Sequence, residues 1–255
     1  MNIRILGAHN CESQNTKSTS ILIDDSLALD AGGLVTSLSF PAQQKLKAIL
    51  LTHQHYDHIG DIPSIAMNFF LSGTTINIYS TLPVHDALTK YLLNDELYPN
   101  FLERPRENPT IKFTVIKMHD VVQIENYSVL AVPINHSVPT VGYQISSDGK
   151  TVFYTGDTGP GLGDCWQYVS PQLLIVEVTA SNRYEEFARE SKHLTPNLLE
   201  QELVRFRSLK GYLPQVVAVH MNPWLEKEIE AEVAAAGETL GNAITLGYEG
   251  MQLHL

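Results

Sequence analysis

Apolar positions along this chain recur with a period of two in some stretches and near 3.6 in others. Asn2-Ile3-Arg4-Ile5-Leu6-Gly7 alternates and predicts a first strand. Residues 20–24 and 27–30 predict a hairpin through Asp25-Ser26, closed by Asp30-Ala31-Gly32-Gly33. The run 46–51 reads as a buried strand that ends at Thr52. Helices are predicted over 62–71 and 82–93, the second with Pro83 near its start, where proline suits a first turn. Between them, 75–79 alternates like a strand. Residues 94–109 hold three prolines and read as irregular. Strands follow over 113–116, 121–124 and 129–132, then three apolar runs near 151–155, 173–179 and 216–219.

Four of these runs end alike. The run 46–51 leads into Thr52-His53-Gln54-His55-Tyr56-Asp57-His58. The run at 129–132 leads to His136, the one at 151–155 to Asp157 between glycines, and the one at 216–219 directly to His220. A ligand-type residue at the end of an apolar strand converges with others like it at the C-terminal edge of a sheet, where α/β sites lie. Imidazole nitrogens and carboxylate oxygens are the donors that Zn²⁺ and similar ions take. The plain alternative for the first stretch is a histidine-rich surface loop. Three imidazoles and a carboxylate within six residues, directly after a strand, outweigh it. Asp30 is either a carboxylate partner for the far nitrogen of a ligand histidine or an ordinary turn aspartate.

A second layer of chemistry lies further on. Glu177 is the one acid in a buried-looking strand, and an isolated buried carboxylate is costly without a partner. His193 is the candidate partner. It precedes Thr195-Pro196, which predict a helix N-cap and first turn, with Leu199, Leu203 and Phe206 at near-helical spacing. Amides and the positive dipole end at such a position favour phosphate. His9, His85, His119 and His254 lack a comparable setting, although His9 does follow the first strand. Trp166 and Trp224 read as packing residues, with pocket lining as the alternative.

Composition narrows the classes. Hydrophobic residues make up 44% of 255, enough for a sizeable core, and no repeat or linker divides the chain, which predicts one domain over residues 1–255. The formal net charge of −11 argues against a broad basic face for long nucleic acid, but not against a small anion held locally. Cys11 and Cys165 have no CxxC spacing, so a reducing compartment is the default. The N-terminus lacks the apolar core of a signal peptide, and no run approaches the ~20 residues that span a bilayer. The expectation is a cytoplasmic protein with no membrane partner; a homodimer is left open.

The H-x-H-x-D-H stretch, with His136, Asp157 and His220 following in order, resembles the motifs of the metallo-β-lactamase superfamily across nearly the whole chain. That resemblance implies an αββα four-layer sandwich with a dinuclear site at one edge of two sheets. It assigns His53, His55 and His136 to one metal, Asp57, His58 and His220 to the other, and Asp157 to both. The metals it implies are two divalent ions, zinc above all, with manganese or iron as alternatives. His55 stands where the flavodiiron oxidoreductases of the superfamily carry glutamate, which favours hydrolysis over redox chemistry. Asp157 stands where the zinc β-lactamases commonly carry cysteine, which disfavours antibiotic hydrolysis. The pair Glu177 and His193 resembles that of ribonuclease Z and the class II cyclic-nucleotide phosphodiesterases. Tyr98-Pro99-Asn100-Phe101, His193-Leu194-Thr195-Pro196 and His220-Met221-Asn222-Pro223 look like the W-P-N-F, G-H-L-x-P and H-I-K-P stretches of the phosphodiesterases. Lys192, Tyr98 and Asn222 depart from the usual glycine, tryptophan and lysine, and bear on the substrate.

The resemblance thus implies hydrolysis of a small phosphodiester, a 3′,5′-cyclic nucleotide above all, with Asp57, Glu177 and His193 as catalytic residues and His193 as the acid. The alternatives are a ribonuclease Z-like RNA endonuclease, a thioesterase or lactonase, and a silent nucleotide sensor that keeps its metals.

Overall fold

The period-two segments fold into two seven-stranded sheets. The first contains β1 (Asn2–Gly7), β2 (Ser20–Ile23), β3 (Leu27–Leu29), β4 (Ala48–Leu50), β5 (Ile76–Ser80) and β6 (Ile111–Val115), and the last strand of the chain, β14 (Gln252–His254), joins it beside β1. The second contains β7 (Val121–Ile124), β8 (Tyr127–Ile134), β9 (Thr140–Ser147), β10 (Lys150–Tyr154), β11 (Leu173–Glu177), β12 (Gln215–Val219) and β13 (Ile244–Leu246). Strands β3 to β6 pair in parallel, as do β10 to β13, and the remaining pairs are antiparallel. The computed structural model describes all residues 1–255.

Alternation along the strands sorts side chains into layers. Ile3, Ile5, Leu27, Leu29, Ala48 and Leu50 face the second sheet and share a core with Val129, Ile145 and Val152. Leu22, Ala28 and Ile49 point the other way. There they meet Leu34 of α1 (Leu34–Ser37) and Ile62, Ile65, Ala66 and Phe69 of α4 (Ile62–Leu71). Two short helices, α2 (Phe40–Gln43) and α3 (Tyr56–Ile59), lie in the connections between them, and α5 (Leu82–Ala87) follows β5. The second sheet is covered by α6 (Gly163–Tyr168), α8 (Pro196–Lys210) and α9 (Glu226–Leu240), with α7 (Glu185–Ser191) before α8. These are the four layers of an αββα sandwich, as expected. No helix is long and apolar enough to cross a membrane.

Several boundaries move from their expected places for identifiable reasons. The strand expected over 46–51 is only Ala48–Leu50, because Leu46 N–H closes a turn onto Gln43 and Lys47 N–H turns to Ser26. The helix expected over 82–93 is α-helical to Ala87 and then widens to a π turn over Leu88–Leu92, where Leu93 N–H reaches back five residues to Leu88. Thr195 caps α8 from its side chain and Pro196 opens it, as the sequence predicts. Strands β9, β13 and β14 and helices α1, α2, α3, α6, α7 and α9 lie beyond the sequence-based expectations.

Candidate metal centre

Parallel register decides what meets what. Leu29 pairs with Leu50, so Asp30 and Thr52 leave β3 and β4 side by side, and Thr52 N–H donates to Asp30 Oδ1 at 2.8 Å. In the second sheet Glu177 pairs with Val219, so His220 emerges beside it. Two residues that bring these loops together sit at φ values side chains rarely adopt, Asp30 at +56° and His220 at +64°. Gly156 does so too, at +62°, and a Cβ there would meet the Thr52 side chain at 2.8–2.9 Å. Only glycine lets the following Asp157 come this close to the first sheet's loop.

All seven expected donors converge. Ligand atoms of His53, His55, His136 and Asp157 lie within 4.8 Å of one another, as do those of Asp57, His58, Asp157 and His220. Asp157 belongs to both sets. Its Oδ2 lies 3.6 Å from His53 Nε2 and 3.9 Å from His136 Nε2, while its Oδ1 lies 3.1 Å from His58 Nε2 and 3.4 Å from His220 Nε2. Asp57 Oδ2 is 3.2 Å from His220 Nε2 and 3.6 Å from His58 Nε2. His55 faces the cluster through Nδ1, 3.3 Å from His136 Nε2.

The far nitrogen of each buried ring is fixed. His58 Nδ1 lies 2.7 Å from Asp30 Oδ2, a carboxylate that also receives the Tyr154 hydroxyl at 2.8 Å. His53 Nδ1 lies 3.0 Å from the Thr52 hydroxyl, which donates to Asp30 at 2.9 Å. His136 Nδ1 donates to the Lys192 carbonyl at 3.0 Å, and His220 Nδ1 lies 2.9 Å from the Thr179 hydroxyl. Such partners set the tautomer and aim Nε2 at the cluster. The turn-aspartate alternative for Asp30 therefore gives way to the carboxylate-partner reading.

The donor set fits divalent cations. His53 Nε2 is buried without a hydrogen-bond partner, and His58 Nε2 and Asp157 Oδ1 face each other at 3.1 Å without the geometry of a hydrogen bond, an arrangement a fold tolerates rarely and a metal site requires. Burial drives His53 well below the usual imidazole range, and burial likewise lowers His55 and His136, so these rings are neutral donors. Burial opposes charge on His58 too, yet Asp157 and Asp30 hold it well above the ordinary range. Burial would raise Asp157, yet His220 and His58 hold it well below. The cluster calls for positive charge at its centre.

Glu177 and His193 lie beside this set. Glu177 is fully buried, and both its oxygens are engaged. Oε1 receives Thr158 N–H at 3.1 Å and lies 2.7 Å from His193 Nδ1. Oε2 receives the Thr179 hydroxyl at 2.9 Å and Leu194 N–H at 3.3 Å. Glu177, His193 and His220 are also close enough together to suggest a cation site. The Glu177 oxygens already face four protein groups, His193 Nδ1 among them. Burial would lower the His193 pKa, but the Glu177 carboxylate, with Asp157 and Asp57 behind it, pushes it up to about 9. The ring stacks on His220 at 5.6 Å between centroids.

The Lys192 ammonium donates to the His136 carbonyl at 3.1 Å. Tyr98-Pro99-Asn100-Phe101 is a packed turn, with Phe101 buried 5.3 Å from Phe70 of α4 between ring centroids. Trp166 is buried as packing, whereas Trp224 is 90% exposed. His9 is a buried clamp, its Nδ1 2.7 Å from Glu249 Oε1. Residues the sequence did not single out are Thr52 and Thr179, although each lies within two positions of a residue that was. Cys11 and Cys165 are both free.

Comparison with known proteins agrees with this geometry. Among curated relatives, Ribonuclease J of Sinorhizobium meliloti is 31% identical over 127 residues, 49% of this chain, so the chain spans only about a fifth (20%) of that protein's length. Hydroxyacylglutathione hydrolase of Nitrosomonas eutropha is 24% identical over 239 residues, covering 84% of this chain and 82% of its own. Among solved structures, unliganded yeast PDE1 has a TM-score of 0.85 at 16% identity, over 100% of this chain and 99% of its own. The short form of human tRNase Z has 0.72 at 18%, over 100% and 99%. The family profile described as Beta-lactamase superfamily domain matches residues 19–221, the span that carries all seven donors and the Glu177–His193 pair, and the chain belongs to that superfamily.

Proposed function

We propose that this chain is a metal-dependent phosphodiesterase that hydrolyses a 3′,5′-cyclic nucleotide to the 5′-nucleotide. His53, His55 and His136 would hold one divalent ion, and Asp57, His58 and His220 a second, with Asp157 shared. The imidazole-rich set suits zinc, with manganese or iron as alternatives. Bound there, the ions would supply Lewis acidity and a water acidified to a pKa near ~7.

The observation that carries the reading is the position of His193, its Nδ1 held 2.7 Å from Glu177 Oε1, beside the two donor groups that share Asp157 but in neither of them. Its Nδ1 is committed, so Nε2 is the nitrogen left to protonate a departing 3′ oxygen. Glu177 orients the ring and stabilises its cationic form. Similarity to a hydroxyacylglutathione hydrolase over most of the chain supports a second reading, hydrolysis of an acyl substrate. A thiolate leaves without a proton, so that reading has no use for His193. Similarity to ribonucleases supports a third, cleavage of RNA, against which the net charge of −11 counts.

The test is direct. Metal-loaded protein is offered cyclic AMP, cyclic GMP, a 2′,3′-cyclic nucleotide, a precursor tRNA, a thioester and a lactone. Release of the 5′-monophosphate from a 3′,5′-cyclic nucleotide is expected. Turnover of the tRNA or the thioester alone overturns the proposal.

A further inference from the structure

A cavity of about 530 Å³ opens next to the metal cluster, lined by residues from three separate stretches of chain. Thr179 and Asn222 form its inner end, and Tyr184, Phe187 and Trp224 its walls. It adjoins the candidate site directly. The Thr179 hydroxyl that touches Glu177 and His220 belongs to the lining, and Asn222 N–H donates to the Thr179 carbonyl at 3.1 Å. The walls are aromatic and open to solvent: Trp224 is 90% exposed, Phe187 62% and Tyr184 42%. Exposed aromatic surface of this kind, rimmed by polar groups, marks a place where something binds. Not one residue of the lining carries a formal charge, although the chain as a whole is strongly acidic.

Resting on the phosphodiesterase reading, we propose that this cavity is the subsite for the base of the nucleotide, with Trp224 and Phe187 as its stacking surfaces and Asn222 as its polar contact. The chemistry of the walls selects the occupant. An uncharged aromatic groove suits a flat neutral heterocycle and not the phosphate, which belongs at the donors. Its volume lies in the range that takes a small molecule rather than a polypeptide. Asn222 Oδ1 is occupied by Trp224 N–H at 3.0 Å, which leaves the Nδ2 amide to donate to an acceptor on the ring edge.

Trp224 supplies its own probe, since the only other tryptophan, Trp166, is buried in the core. In the metal-loaded His193→Ala protein, chosen to slow turnover, adenosine 3′,5′-cyclic monophosphate is expected to quench exposed tryptophan emission. Ribose 5-phosphate, which lacks the base, should not. In the wild-type background, Trp224→Ala and Phe187→Ala each lower kcat/KM for the cyclic nucleotide by roughly 5- to 150-fold, the loss that one base–aromatic stack gives. Both side chains are exposed, so folding is not at stake, and circular dichroism confirms it. Equal quenching by the base-free phosphate, no quenching by the nucleotide, or unchanged kcat/KM in both variants overturns the subsite. Failure of the phosphodiesterase reading looks different: the wild-type protein then turns over no cyclic nucleotide at all.

Discussion

Asp30 and Glu177 stand at matched positions, one at the end of a strand in each sheet, and each acts on a donor histidine through a threonine. Asp30 receives the Thr52 hydroxyl that faces His53, and Glu177 receives the Thr179 hydroxyl that faces His220. In each case the hydroxyl's single proton goes to the carboxylate, which leaves its lone pair to accept the ring N–H. The two carboxylates then diverge. Asp30 also grips a donor, His58, while Glu177 grips His193, which is outside the set.

From that divergence, Asp30→Asn is expected to lower metal affinity about 10- to 100-fold, the usual cost of losing an outer partner. Competition with a chromophoric chelator measures it. Affinity equal to wild type would show that His53 and His58 are held without Asp30.

His193→Ala is expected to retain the metals and the fold while the rate on a cyclic nucleotide falls by roughly 10²- to 10⁴-fold. An activated nitrophenyl phosphodiester, whose leaving group needs less protonation, loses less. Glu177→Gln follows the same pattern more weakly. If the metal content drops with His193, or both substrates suffer equally, His193 is a ligand or a binding group and not the acid.

The pH behaviour of the metal-free protein follows from the same pair. The folded pKa of His193 is raised to about 9, above an unfolded value of about 6.5. The stability this contributes is therefore complete below about pH 6.5 and is lost as pH rises through 9. Glu177→Gln should remove most of that slope between pH 6.5 and 9, as read by denaturant titration. Proton NMR of His193 should show its midpoint fall when zinc is added, because the ions neutralise Asp57 and Asp157, which help to hold the proton there.

Two ions per chain are expected on metal analysis after reconstitution with zinc or manganese, and His55→Ala should lose metal and activity together. Binding to the folded state alone raises stability by about 2.7 kcal/mol at a hundredfold excess over Kd. The melting temperature should therefore rise with free metal. A fold that takes up none, or melts at the same temperature with and without metal, contradicts the assignment.

The donors were legible because each of the four donor-bearing stretches follows the end of an apolar run, a pattern that needs no knowledge of pairing. The Glu177–His193 contact was legible for another reason: a lone acid in a buried strand demands a partner. What escaped lacked a local signal or lay past the last motif. Nothing in Thr52 or Thr179 distinguishes a hydroxyl that orients a histidine from one that caps a turn; only register brings them to their rings. Helix α9 did carry a signal, with Ile229, Val233, Ala236 and Leu240 buried at near-helical spacing beyond His220. The Tyr98–Phe101 stretch reads as a family motif in the sequence and folds as a packed turn around Phe101.

The donors divide between the sheets: four of the seven leave β4 in the first, and His136, Asp157 and His220 leave the second. An ion gripped from both sides acts as a rivet through two plates. Without it the seam is held at this edge by contacts such as Tyr154 to Asp30 and by the His58–Asp157 and Asp57–His220 pairs. Chelation should therefore do more than silence chemistry. It should let the plates breathe at the edge where the substrate enters, with amide exchange quickening in the loops after β4, β10 and β12 while the apolar middle of the sandwich stays closed.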